Sequence, residues 1–215
     1  MGMKRKNIII TTATVIATII AFWCAFYTEP LSEHQRKMNA GAFDTESYVK
    51  EQFQQQGDLM EKAMPLKDFL TLLEGKRIDI KTSGRVLGIG SNIFFVVKGE
   101  GTVVEKDDEH CIILSEGHRW SIPTQHIFGN LARDASGWFD IDASPTMADF
   151  NNISATVNKY LEENVLTDDI RNLKPQETVS FCAATEVLSD YADDKSDQAL
   201  PSDPATLIPY QLEKR

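Results

Sequence analysis

The apolar and polar positions divide the chain into stretches of different period. Residues 8–27, IIITTATVIATIIAFWCAFY, run without a charged side chain. At about 1.5 Å per residue a helix of that length crosses the ~30 Å hydrocarbon core of a bilayer. Residues 29–42, EPLSEHQRKMNAGA, are polar and aperiodic and read as a linker. From Phe43 the spacing turns helical, with Phe43, Tyr48, Phe53, Leu59 and Met60 set in a Gln/Glu-rich background. Pro65 suits the first turn of a second helix; its Leu66, Phe69, Leu70 and Leu73 share one stripe, and Gly75 can end it.

Alternation then predicts strands. Residues 77–87, RIDIKTSGRVL, place Ile78 and Ile80 and later Val86 on alternating positions. Residues 94–105 and 110–117 read as a hairpin around Lys106-Asp107-Asp108-Glu109, and 118–123 continues the sheet after Glu116-Gly117. Residues 130–142, NLARDASGWFDID, read as a loop carrying Arg133 and Asp134 that runs into a short strand. The longest helix follows, capped by Thr146 or Asp149, with Phe150, Ile153, Val157, Leu161 and Val165 on one face. Residues 177–188 are another strand, the acidic 189–206 a mobile excursion, and 207–213 a last strand.

This order predicts an α+β fold: a small Greek-key, OB-like β-barrel with N-terminal helices and one long inserted helix, preceded by a single transmembrane helix. The domains are 1–28, a basic cytoplasmic tip and anchor; 29–42, a linker; and 43–215, a periplasmic domain. Gly99 and Gly101 in FFVVKGEGTVV fall on one face of their strand, where missing side chains let it coil toward barrel closure.

Charge sharpens the topology. Three of the 22 basic residues, Lys4, Arg5 and Lys6, precede the apolar stretch, so 19 basic and 32 acidic residues remain beyond it, a net −13. The basic tip stays cytoplasmic, which puts the bulk of the chain in the periplasm. An acidic domain repels phosphates, so nucleic acid is not an expected partner. Cys24 is a site for lipidation, but Ala21-Phe22-Trp23 lacks the small residue such processing needs, so a protein anchor is expected. Cys111 and Cys182 lie in apolar strands without a C-x-x-C pattern, as inert thiols or a disulfide.

The segments V-K-G-E-G-T-V (97–103), L-A-R-D-A-S-G-W-F (131–139), Val157-Asn158, L-K-P-Q-E-T-V (173–179) and I-P-Y-Q-L (208–212) occur in matching order over about 43–215. In these the chain resembles a family of predicted periplasmic lipoproteins of unknown function, domain-of-unknown-function family 2291. The resemblance implies an exported domain associated with sugar-uptake systems, not a reaction. The chain departs from the family's pattern before Cys24, and at Gln125-His126 and Gly129-Asn130.

Catalytic chemistry finds no support. Gly88-Ile89-Gly90-Ser91-Asn92 lacks the third glycine and the following helix of a dinucleotide site. The histidines lack metal-ligand spacing, and there is no nucleophile elbow. No cofactor and no enzyme activity are expected. Arg133-Asp134 stands between apolar neighbours, where a charge is costly unless paired. It is either a structural ion pair or, with Trp138 and Asn158, the lining of a pocket for a sugar-like ligand. The sequence thus predicts a membrane-tethered, non-enzymatic domain binding such a ligand or accessory to a transporter. The alternative is an adaptor docking another periplasmic protein.

Overall fold

A computed structural model describes residues 43–54, 56–75, 77–88, 91–139 and 146–215. The expected anchor and linker and Cys24 lie outside the described residues, as does the short strand expected after Phe139. Among the described residues no helix is long and apolar enough to cross a membrane.

The sheet is organised by its longest strand. The elements run α1 (Thr45–Phe53), α2 (Gln56–Lys62), β1 (Met64–Pro65), α3 (Leu66–Glu74), α4 (Arg77–Ser83), β2 (Arg85–Val86) and β3 (Ile93–Lys106). There follow β4 (His110–Ser115), β5 (His118–Pro123), α5 (Leu131–Ser136), α6 (Met147–Asn164), α7 (Asp168–Arg171), β6 (Thr178–Val187), α8 (Ser189–Ala192), β7 (Ala205–Thr206) and β8 (Ile208–Lys214). The sheet order is β7-β5-β4-β3-β6-β8, with β1 and β2 also paired to β3. β7 and β8 are consecutive in the chain. Ala205 pairs with Trp120, Leu207 donates to the Ser121 carbonyl at 2.8 Å, and Ile208 pairs with Ala184. One strand therefore bridges both ends of the sheet and curls it into the expected OB-like barrel.

β3 makes that curl possible. It pairs with β6 from Ile93 to Thr102 and with β4 from Thr102 to Lys106, so it changes neighbours just past its glycines. A Cβ on Gly101 would stand 2.8 Å from Ile113 Cδ1 and 3.2 Å from the Leu114 carbonyl, and one on Gly99 3.1 Å from Phe181. The glycines act through close approach: β4 and a β6 side chain occupy the space their side chains would fill. A register shift between Val103 and Glu105 completes the bend. The turn into β4 is fixed by Asp107, whose Oδ1 accepts from the N–H groups of Glu109 and His110 at 2.8 and 2.7 Å. Those bonds hold its carboxyl below the usual range.

Three local expectations change. Residues 77–83 are a helix, not a strand: Ile78 and Ile80 are two apart, so a helix turns them to opposite sides, leaving Ile80 buried and Ile78 62% exposed. Gly84 ends this helix against β3, where a Cβ would meet Ile93 and Phe95 under 3 Å. Residues 131–136 are a short helix closed by Gly137 in the left-handed region at φ 73°. The expected loose excursion after β6 is held down. Arg77 donates to the carbonyls of Tyr191 and Ser196 at 2.7 and 2.8 Å, pairs with Asp194 at 2.9 Å and stacks on Tyr191. Lys81 and then Lys195 bond Asp193 and hold its carboxyl down to about 2.

The long helix α6 is capped by Thr146, whose side chain accepts from the Asp149 N–H at 3.1 Å. Cys111 and Cys182 are free and buried, and burial pushes each thiol up to about 11. Gly101→Val should destabilise the domain by about 1–3 kcal/mol through overpacking, with a matching fall in denaturant midpoint. An unchanged midpoint would show that β4 can retreat from β3.

Candidate functional site

Between barrel and long helix lies a buried ion pair. Helix α5 packs on β3, β6, β8 and α6, which turns Arg133 and Asp134 inward. Their side chains are only 6% and 10% exposed. Arg133 Nε donates to Asp134 Oδ1 at 2.7 Å, its Nη1 donates to the Phe150 carbonyl at 3.1 Å, and the guanidinium covers the Phe150 ring at 3.9 Å. Burial pushes the Asp134 carboxyl above the ordinary range, opposed by the Arg133 hydrogen bond. From the other side Tyr210, fully buried, donates its hydroxyl to the Ala132 carbonyl at 2.5 Å. Trp138 is part-buried, with ring contacts to Phe53 at 4.9 Å and Tyr210 at 5.8 Å. These groups fasten α5 to α6 and β8, and their polar atoms face each other.

Asn158 sits differently. With Ser154 and Glu162 it forms a row of four-residue steps along one face of α6. That row borders a surface cleft of about 380 Å³ whose other wall is the loop after β5, with Phe128, Gly129 and Asn130. The loop is tied on both sides of Phe128. Glu162 accepts the Ile127 N–H at 2.7 Å, and Asn158 Nδ2 donates to the Gly129 carbonyl at 3.0 Å. His126 Nδ1 lies 3.7 Å from the second Glu162 oxygen. Ile127 points inward and is buried, whereas Phe128 is 82% exposed. Gly129 takes φ 83°, a conformation that favours glycine.

The cleft thus joins an exposed aromatic plane on a pinned loop to a bank of amides from Asn130, Asn151 and Asn158. Ser154 lines it too. Its hydroxyl is shut from solvent and has no hydrogen-bond partner among the described residues. An unmet buried hydroxyl costs about 1–3 kcal/mol. Lys159 adds a cation at the rim.

The four residues singled out in the sequence therefore fall in two places. Arg133, Asp134 and Trp138 lie in the packed junction behind the cleft, and only Asn158 opens onto it. Phe128 and Ser154 escaped notice. The signal for Phe128 was the pair Ile127-Phe128 before a glycine, since adjacent residues in extended chain point to opposite sides and only one can be buried.

A curled sheet closed by its last strand, with a helix laid across one end, defines a protein of the OB-fold class. A crystal structure of an OB-fold protein from Thermotoga maritima is similar at a TM-score of 0.67 and 22% identity, over 81% of this chain and 99% of that one. The chain belongs to the family of predicted periplasmic lipoproteins, domain-of-unknown-function family 2291, whose sequence profile matches residues 15–202. Among curated proteins none matches the chain.

The buried pair is directly testable. Arg133→Ala leaves a carboxylate buried without its cation and should cost about 3–5 kcal/mol of stability. Arg133→Lys keeps the charge but not the fork and should fall between. Equal denaturant midpoints for all three proteins would remove the ion pair from its structural role.

Proposed function

We propose that this chain is a non-enzymatic binding domain on the outer face of the membrane, accessory to a transporter, which takes a small polar, sugar-like ligand in the Phe128 cleft. The observation that carries this reading is the exposed ring held rigid beside a bank of amides. A sugar ring presents an apolar C–H face, which stacks on an aromatic plane, and a rim of hydroxyls, which amides can both donate to and accept from. Asn158 serves twice, fixing the loop through its Nδ2 and offering its carbonyl oxygen to the cleft. Arg133, Asp134 and Trp138 act behind it by holding α5 and α6 in place.

Family membership supports the periplasmic location. For the anchor we favour the uncleaved apolar stretch 8–27, because the residues before Cys24 do not suit lipoprotein processing. A periplasm-active reporter fused to the C-terminus should be active, and the intact mass should retain residues 1–23. A mature protein that begins at a lipidated Cys24 overturns the protein anchor and leaves the location intact.

Ligand binding is tested by thermal shift of the full chain in phosphatidylcholine nanodiscs, against neutral hexoses and disaccharides. At least one should raise the melting temperature. Phe128→Ala should leave the unliganded melt unchanged, since the ring packs on little, and should abolish the shift. No shift with any sugar sinks the proposal. The adaptor reading draws on a different surface, Ile78, Val86 and Leu87, all of them 44% exposed or more. If Ile78→Asp removes partner capture while Phe128→Ala does not, the adaptor reading replaces the ligand-binding one.

A further inference from the structure

The last strand carries an open edge. Arg215 donates its N–H to the Thr178 carbonyl at 2.9 Å, with Glu213 opposite Ser180 and Gln211 opposite Cys182. In an antiparallel ladder alternate residues exchange bonds with the neighbour, so Gln211 and Glu213 face β6. The N–H and C=O groups of Leu212 and Lys214 then point out of the sheet. Among the described residues nothing pairs with those four groups. The first half of β8 is protected: Pro209 has no N–H to offer, the register shifts beside it, and Tyr210 is tied to α5. Only 211–214 remains open.

This edge borders a groove of about 590 Å³, larger than the Phe128 cleft, with Met60, Tyr160, Val165 and Ile170 across from it. Its charge is unbalanced. Lys214 is neutralised by Glu177 at 2.6 Å, while Asp169 and Glu213 lack a cationic partner among the described residues.

We propose that the groove is a docking site for an extended segment of a partner protein, added to β8 as a further strand, with apolar side chains alternating with basic ones. Outward N–H and C=O groups two residues apart match the repeat of another extended backbone. Alternation places every second side chain against Met60, Tyr160 and Val165, and Asp169 and Glu213 favour cations among the others. A second copy of this chain is a poorer occupant, because its own β8 comes flanked by the same helices, which crowd the approach.

The probe is a fluorescein-labelled acetyl-Val-Lys-Val-Arg-Val-amide, titrated into the full chain in phosphatidylcholine nanodiscs. Controls are its Glu/Asp counterpart and a version N-methylated at alternate residues. The basic peptide should bind saturably and slow hydrogen exchange at the Leu212 and Lys214 amides at least tenfold. Both controls should bind at least tenfold more weakly. Asp169→Asn combined with Glu213→Gln should weaken the basic peptide several-fold with an unchanged melt. No binding of the basic peptide, or equal binding of its N-methylated form, overturns the proposal. Protection of Leu212 and Lys214 that rises with protein concentration alone assigns the edge to a second copy and overturns it equally.

Discussion

A guanidinium inside a protein must find partners for its charge and its donors, and that demand at Arg133 fixes the junction of barrel and helices. Six residues of helix are too few to be stable alone, so α5 persists because its contents are bonded in place. Arg133 reaches sideways to Asp134 and forward to the Phe150 carbonyl, within the first turns of α6. Tyr210 meets the Ala132 carbonyl from the sheet. Those bonds tie two separate parts of the chain, α6 and β8, to one short helix. Well-packed apolar residues in place of a buried ion pair can preserve stability, but they lose the directional bonds that join α5 to α6.

The placement of α6 decides what the surface offers. Ser154, Asn158 and Glu162 follow one another at four-residue steps, so any rotation of α6 about its axis would carry all of them away from the β5–α5 loop together. As α6 lies, Glu162 and Asn158 hold the loop on either side of Phe128. The ring is exposed because its neighbour Ile127 takes the buried position. Rigid backbone beneath an exposed aromatic lowers the ordering cost of binding, which is the advantage of preorganisation.

Legibility in the sequence followed the length and regularity of each pattern. β3, the β3–β4 hairpin, α6 with Thr146 and β8 were readable because period and end signals agreed over many residues. The helix at 77–83 was misread because Ile78 and Ile80 imitate strand alternation; what decided the matter was Gly84 packed on Ile93 and Phe95, a long-range contact with no local trace. Helix α5 was read as a loop because six residues are too few to show a helical period, and the Phe150 carbonyl that fixes Arg133 arrives only from α6. The segment after β6 was read as loose because its acidic residues meet Arg77 and Lys81 only in three dimensions. At the site, Asn158 was found through a resemblance and Phe128 was not found at all. Exposure of an aromatic ring is a property of the whole fold.

The bridging strand also bears on how the chain reaches its final shape. Residues 205–207 pair with β5 and 208–214 with β6, so nothing in 43–204 can close the barrel by itself. Until 205–214 is present, β5 and β6 both keep unpaired edges, and Trp120 and Phe181 lack part of their cover. Closure spans more than eighty residues of sequence, from Ser121 to Leu207, and such distant pairings form late. An exported chain stays an unclosed sheet until 205–214 has arrived. Its window of vulnerability to proteases and to stray strands ends when that single segment arrives.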